Sequence, residues 1–339
     1  MTQPRIKISI ILPVKNGGDY LKQCVQSILE QSYPHFNLLV LENASSDESL
    51  EWLKCLSDDR IFLFPSDQSL TIEENWNRVL SLKKNEFITL IGHDDILHKD
   101  YLQVMVDLIN QYPNASLYQT QFNYINSKGD LIRPCQFFPQ KLNSLELTTL
   151  ILKGELDING TGYMMRSSHY DELNGIPNYP NLLFADFELW VNMSEYSYMV
   201  TSPQTCFSYR IHQSITTVSS DQKFQDAFIR LLEYFLKKKK TDMQFKSVVD
   251  LYLPDFIMTY VKSISHRILR TQLSKRNKVT VQNWIEKCQI ITNELFDLNK
   301  APIFKDDLSV KISLWIDSSM ILRSLFLFYK KIFPKPLFK

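Results

Sequence analysis

Asp94 and Asp95 stand side by side where an apolar run ends, in "FITLIGHDDILHKDYL" (87–102). Hard divalent cations such as Mg²⁺ take oxygen ligands and are commonly held by one or two carboxylates plus substrate phosphates. The same acids would also suit the first turn of a helix running through "DDILHKDYLQVMVDLI", where the helix dipole favours negative charge. The residues alone leave metal site and helix start open, and one acid can cap while the other binds. A second acidic group lies in "NLLFADFELWVNM", where Asp186 and Glu188 sit among Phe184, Phe187 and Trp190. A carboxylate held against apolar groups ionises less readily and can act as a general base near neutral pH. The plain alternative is a helix start with Asp186 as its cap. "YRIHQS" adds Arg210 and His212, a phosphate clamp and a metal ligand if they are not simply structural.

Two loops complete the set. "PVKNGGDYL" carries Asn16, Gly17 and Gly18, residue types that tolerate positive φ in a tight turn. "LENASSDES" is equally polar. Neither is a GxGxxG fingerprint, and the chain has no GxxxxGK[ST] phosphate loop, so a nucleotide would be held by strand-end polar groups and a metal.

The elements that must position these residues follow from periodicity. "KISIILPV" (7–14), "FNLLVLEN" (36–43), "IFLFPS" and "EFITLIG" are continuous apolar runs, as expected of strands buried on both faces. Between them, "GDYLKQCVQSILEQS", "SSDESLEWLKCLS" and "TIEENWNRVLSLKK" read as helices, the second with Ser46 as N-cap. This alternation predicts an α/β fold with a doubly wound, mostly parallel sheet. Ligands of such sheets bind beyond the carboxyl ends of the strands, which gathers Pro13–Gly18, Glu42–Asp47 and Gly92–Asp95 at one place. Further on, "ASLYQTQFNYINSKGDLI" reads as a hairpin turning at Ser127–Gly129, "TGYMMRSS" as a strand and "FADFELWVNMSEY" as a helix. After about 220 the chain reads as helical, with Phe224, Phe228, Leu231 and Phe235 on one face and Trp284, Cys288, Ile291 and Leu295 on another. The reading places domains at 1–218 and 219–339.

Composition narrows the function classes. The chain has 339 residues and a formal net charge of +1, so no global field points to nucleic acid. Five separated cysteines form no CxxC pair, which suits reduced thiols better than a disulfide scaffold or zinc site. The N-terminal "MTQPRIKISIILPV" reads as a strand rather than a signal peptide, and no uncharged apolar stretch approaches the roughly 20 residues of a membrane helix. The expected location is the cytoplasm, at or near the inner face of the cell membrane.

Taken together, the blocks "SIILPVKNGGDYLKQCVQSILEQSYPHFNLLVLENASSDES", "EENWNRVL", "EFITLIGHDDIL", "TGYMMRSSHYDELNGI", "FADFELWVNM" and "YRIHQSIT" resemble, in this order, the family 2 glycosyltransferases. The resemblance spans roughly residues 6 to 218 and implies the GT-A nucleotide-sugar fold. It implies that Pro13, Val14 and Asn16 line the nucleotide end, and that Glu42 stands where an aspartate usually reads base and ribose. Asn75 and Arg78 would border the donor. Asp94 matches the metal-binding acid of the DxD motif, with Asp95 beside it and His212 facing the metal or diphosphate. Asp186 matches the acid that deprotonates the acceptor hydroxyl. Gly92 occupies the first acidic place of the motif, a departure that leaves the metal to Asp94, Asp95 and the donor phosphates. The implied reaction is an inverting transfer from a nucleotide-diphosphate sugar to a glycan or lipid-linked acceptor, with Mg²⁺ or Mn²⁺, in bacterial surface polysaccharide synthesis. The rival expectations are a non-catalytic glycan-binding or assembly subunit and a nucleotidyltransferase, the latter weakened by the missing glycine-rich loop.

The C-terminal "SMILRSLFLFYKKIFPKPLFK" is aromatic and basic, with Leu322, Leu325, Phe326, Phe328 and Phe333 beside Arg323, Lys330, Lys331, Lys335 and Lys339. An amphipathic basic helix of this kind reads as a membrane-surface contact, or as a helix packed on the catalytic domain or in a homo-oligomer.

Overall fold

The computed structural model describes residues 5–212, 220–276, 278–296 and 301–333. The chain divides into two compact units, Met1–Thr217 and Val218–Lys339.

The first unit opens with β1 (Ile8–Val14), α1 (Gly18–Leu29), β2 (Phe36–Glu42), α2 (Ser49–Lys54), β3 (Ile61–Phe64), α3 (Ile72–Asn77) and β4 (Phe87–Leu90). Every residue of β1 and β4 is buried, which is why both strands read as unbroken apolar runs. β1 pairs in parallel with β2 from Ile8↔Phe36 to Val14↔Glu42 and with β4 on its other side from Ile8↔Phe87 to Ile11↔Leu90, so all three strands run towards the same edge of the sheet. α3 starts at a capping box in which Thr71 and Glu74 exchange side-chain and backbone hydrogen bonds.

Beyond β4 come β5 (Ile96–Leu97), α4 (Tyr101–Gln111), β6 (Leu117–Ile125), β7 (Leu131–Pro134), β8 (Lys141–Leu142), α5 (Ser144–Leu152), β9 (Met164–Arg166), α6 (Ser167–Glu172), α7 (Ala185–Glu195) and β10 (Met199–Arg210). The sheet runs β3-β2-β1-β4-β9-β6-β10-β5. Its β3-β2-β1-β4 half is wholly parallel, as expected; the other half is mixed. β9 is inserted antiparallel between β4 and β6, and β10 returns parallel to β6. The hairpin of β6 and β7 is present.

Two local expectations change. The helix after β2 begins at Ser49 with Glu48 in the N-cap position, rather than behind Ser46. Asp94 and Asp95 do not start a helix either: they lie in a turn between β4 and β5, and α4 begins only at Tyr101 behind Asp100.

The second unit is helical: α8 (Asp221–Thr241), α9 (Met243–Arg270), α10 (Val281–Leu295), α11 (Leu308–Asp317) and α12 (Met320–Ile332). Phe228, Leu231, Phe235, Trp284, Cys288 and Leu295 are buried in its core, whereas Phe224 is half-buried beneath the Arg267 guanidinium. Among the described residues no single helix is long and apolar enough to cross a membrane.

Candidate active site

The loops leaving β1 and β2 are sewn together. Asn16, at φ 52, accepts from the Ser46 amide at 2.8 Å, and its own amide donates to the Ser45 hydroxyl at 2.9 Å. The Asp47 carboxylate accepts from the amides of Gly18 at 3.1 Å and Ser49 at 3.0 Å, and the Ser49 hydroxyl accepts from Gly17 at 2.9 Å. These bonds draw Ser46 and Asp47 towards the start of α1, which explains the later start of α2.

Several residues expected to touch a donor are instead committed to this framework. Glu42 is fully buried, and its carboxylate accepts from the amides of Ser45 at 2.7 Å and Ala44 at 3.2 Å; it builds the turn rather than facing a base. Asn75 donates to the Leu41 carbonyl at 3.2 Å and accepts from Arg78 at 2.9 Å. Arg78 in turn donates to the carbonyls of Glu42 at 2.9 Å and Phe64 at 2.7 Å, so both residues brace the ends of β2 and β3. The physical reason is common to all three: strand-end backbone groups removed from water must find partners. Pro13 and Val14 are buried in β1, and only their backbone shapes the site. Asn16 is exposed at this end, beside half-buried Lys15, whose amine donates to the Ser69 hydroxyl and, at 3.3 Å, to the Leu70 carbonyl. Lys15 went unremarked in the sequence, although it directly follows the β1 apolar run.

The two aspartates prove unlike. Asp95 is 2% exposed, and both its oxygens are taken, by the Arg210 amide at 2.9 Å and the Thr161 hydroxyl at 2.6 Å. It braces β10 to the 159–162 loop, a role the sequence did not suggest beside the expected metal ligation. Burial, and then the charge of Asp94, push its carboxyl well above the usual range. Asp94 is open by comparison, its Oδ2 lying 2.6 Å from His212 Nε2. Burial pushes Asp94 up, but the His212 hydrogen bond and the neighbouring imidazoles prevail and hold it below its ordinary value. A Cβ at Gly92 would lie 2.6 Å from Asp94 Oδ1, so the missing side chain there is the room the Asp94 carboxylate occupies. Arg210 is no phosphate clamp: buried, it donates to the carbonyls of Asp94 at 2.7 Å and Asn126 at 3.1 Å and to Gln23 at 2.9 Å.

Asp94 and His212 suit a hard or borderline divalent cation in chemistry, a carboxylate and an imidazole that already converge. Among the described residues no third His, Cys, Asp or Glu joins them. The set therefore fits a metal whose remaining ligands are substrate oxygens and water.

Asp186 sits in the first turn of α7, entered through left-handed Asn181, Leu182 and Phe184. It is not the cap; its carboxylate accepts from the Phe187 amide at 3.0 Å. Burial raises it to about 6, and backbone hydrogen bonds pull it only part of the way back. Glu188, by contrast, is engaged by the Tyr179 phenol at 2.6 Å.

One loop joins the two acidic groups. Thr161 bonds Asp95, the Gly162 amide donates to Leu90 at the end of β4 at 2.9 Å, and the indole of Trp190 in α7 donates to the Asn159 carbonyl at 2.9 Å. A Cβ at Gly160 would stand 4.0 Å from that of Asp186. Gly162 has φ +76, and an added Cβ would meet the Phe207 ring at 2.8 Å. Gly162→Ala is expected to destabilise the fold by about 2–4 kcal/mol, read as a fall in the urea midpoint. Tyr209 of β10 packs edge-on against Tyr124 of β6, and burial first, then the charges of Asp95, Asp94 and Asp186, raise its phenol. Its place near the end of β10, three residues before His212, was the available signal.

Residues 9–173 match the family model described as Glycosyl transferase family 2. An uncharacterized glycosyltransferase of Rickettsia conorii is 28% identical over 188 residues, covering 54% of this chain and 30% of its own length. Glycosyltransferase GlyG of Streptococcus pneumoniae is 26% identical over 125 residues, 36% of this chain and 42% of its own. The chain thus spans less than half the length of these two relatives, whereas an uncharacterized glycosyltransferase of Rickettsia typhi is matched over 96% of its length at 22% identity, covering 91% of this chain. Among solved structures, residues 1–349 of S. aureus TarS in complex with UDP-GlcNAc align over 96% of this chain and 92% of that one, with TM-score 0.68 and 14% identity. The mannosyltransferase PcManGT of Pyrobaculum calidifontis, in complex with GDP-Man and Mn²⁺, aligns over 98% of this chain and 89% of its own, with TM-score 0.51 and 13% identity. The fold is that of the GT-A glycosyltransferases.

Proposed function

Residues 9–173 belong to the family 2 glycosyltransferases, and from that premise we propose that the chain transfers a sugar, with inversion, from a nucleoside-diphosphate sugar to a hydroxyl of a glycan or lipid-linked acceptor. The observation that carries the proposal is the 159–162 loop, which ties the Asp94–Asp95 turn to the helix bearing Asp186. A metal-side acid and a candidate base are thereby held on one rigid frame, which supplies the positioning that a two-substrate reaction needs.

In this mechanism Asp186 accepts the proton of the acceptor hydroxyl while that oxygen bonds the anomeric carbon from the face opposite the diphosphate. The bond between the anomeric carbon and the diphosphate oxygen breaks, and the pair of electrons leaves with the nucleoside diphosphate. Asp94 and His212 would hold Mg²⁺ or Mn²⁺, which when bound neutralises the charge growing on the diphosphate. Asp95 and Arg210 act from behind, fixing the turn on which Asp94 stands. Asn16 and Lys15 border the nucleotide end. The relatives are bacterial, in keeping with surface polysaccharide synthesis at the cytoplasmic side of the membrane. A non-catalytic glycan-binding subunit would retain the fold but would release no nucleoside diphosphate.

The test is release of nucleoside diphosphate from uridine and guanosine diphosphosugars by the purified chain. Activity is expected to need Mn²⁺ or Mg²⁺ and to vanish with a chelator. Because Asp186 must be ionised to act, kcat/KM should fall about tenfold per pH unit below about 6 and level off above it. A flat profile from pH 4.5 to 8 would remove Asp186 from the base role.

A further inference from the structure

The second unit carries two apolar stripes that face solvent. On α12, Ile321, Leu325, Phe328 and Ile332 recur at helical spacing and are 75%, 60%, 64% and 52% exposed. On α11, Leu308, Ile312 and Trp315 are 72%, 47% and 62% exposed. Soluble surfaces rarely leave such rows of large apolar side chains uncovered, and they mark an interaction site. The opposite side of α12 is committed to the protein: Arg323 is buried with its guanidinium on the Thr271 carbonyl, and Phe326 packs edge-on against His266. The helix is therefore docked through one face and bare on the other.

We propose that this bare face lies on an anionic lipid surface. Residues 318–339 contain no acid and five basic residues, Arg323, Lys330, Lys331, Lys335 and Lys339. Arg323 turns inward, and Lys335 and Lys339 lie outside the described residues, which leaves Lys330 and Lys331 to flank the stripe. Lys330 extends over the Phe326 and Tyr329 rings, the posture of an amine whose stem covers apolar surface while its head stays in water. Trp315 and Tyr329 are amphipathic aromatics of the type that collects at headgroup level. Charge decides between lipid and a second copy. A second copy would offer Lys330 and Lys331 no acid from the same segment to pair them, whereas an anionic leaflet attracts each lysine. α12 has 13 residues, too few to span a bilayer, and α11 and α12 are bent by 112° from one another. The pair lies on the membrane rather than through it.

The proposal goes beyond sugar transfer and does not depend on it, since its readout is vesicle flotation of the full chain. The chain should float with vesicles of phosphatidylcholine and phosphatidylglycerol, mixed at roughly three to one, and not with phosphatidylcholine alone. Lys330→Glu with Lys331→Glu should weaken binding at least about thirtyfold and flatten its salt dependence. Ile321→Asp with Phe328→Asp, both at exposed positions, should abolish flotation while circular dichroism and the melting midpoint stay unchanged. The proposal is overturned if the wild-type chain fails to float with anionic vesicles. It is equally overturned if the apolar pair of substitutions leaves flotation intact and instead converts a dimer to a monomer, which would assign the face to a second copy.

Discussion

Asp186→Asn is expected to lower turnover by roughly 10²- to 10⁴-fold, the usual contribution of a positioned general base, while leaving donor binding unchanged. The same substitution should make the protein more stable at neutral pH. The Asp186 carboxyl is raised to about 6 in the fold, mainly by burial, from an ordinary value of 3.8. Between those two pH values the folded state holds a proton that the unfolded chain has released, so stability falls as pH rises from about 4 to 6. Above pH 6 the ionised, half-buried carboxylate costs the fold about 2–3 kcal/mol. Asparagine removes that charge and keeps an oxygen for the Phe187 amide. Urea denaturation at pH 7.5 and steady-state kinetics on the same preparation read both effects. A variant that is dead and also less stable would point to a structural acid.

The second large effect separates the paired aspartates. Asp94→Asn is expected to reduce transfer roughly 10³-fold and to abolish its dependence on divalent cation, because several kcal/mol of charge stabilisation go with the metal. Asp95→Asn should keep the fold and most of the activity. Its Oδ1 still accepts from the Arg210 amide, and its Nδ2 can donate to the Thr161 hydroxyl that now donates to Asp95. Asp95→Ala leaves both of those buried groups unpaired and should cost about 3 kcal/mol. If Asp95→Asn proved as damaging to metal-dependent turnover as Asp94→Asn, both acids would be ligands.

Much of the frame is legible in the chain. Ile8–Val14 and Phe87–Leu90 lack polar alternation because both faces are covered, and that pattern alone places the loops after β1, β2 and β4 together. The spacing of Phe228, Leu231 and Phe235 likewise gives the buried face of α8. The order of blocks also singles out Asp94 and His212, which the structure brings within hydrogen-bond distance, and Asp186. What the sequence hides is the direction in which a polar side chain turns. Glu42, Asn75, Arg78 and Arg210 have the residue types of a donor pocket, but each serves backbone groups at strand ends. A carbonyl that needs a donor is invisible in a one-dimensional pattern. The same is true of β9, three residues inserted antiparallel between strands distant in sequence, whose pairing makes half the sheet mixed. The two-residue β5 is too short to leave a period, so the acids before it imitate a helix start.

The 159–162 loop shows how these levels connect. Gly162 must be glycine because its φ is positive and Phe207 lies against it. That close approach sets Thr161 on Asp95 and Asn159 on Trp190, and so fixes the turn of Asp94 relative to the helix of Asp186. Activity in this account depends on residues that never touch a substrate.

The central claim, that Asp94 and His212 form the metal-side half of a nucleoside-diphosphate site, is tested most directly by thermal shift with uridine and guanosine diphosphates in the presence and absence of Mn²⁺. Ligand that binds only the folded state raises its midpoint. The expected result is a rise with one diphosphate that requires Mn²⁺, disappears in Asp94→Asn and persists in Asp186→Asn. A rise that is indifferent to the cation and to Asp94→Asn, or the absence of a rise with either diphosphate, would contradict it.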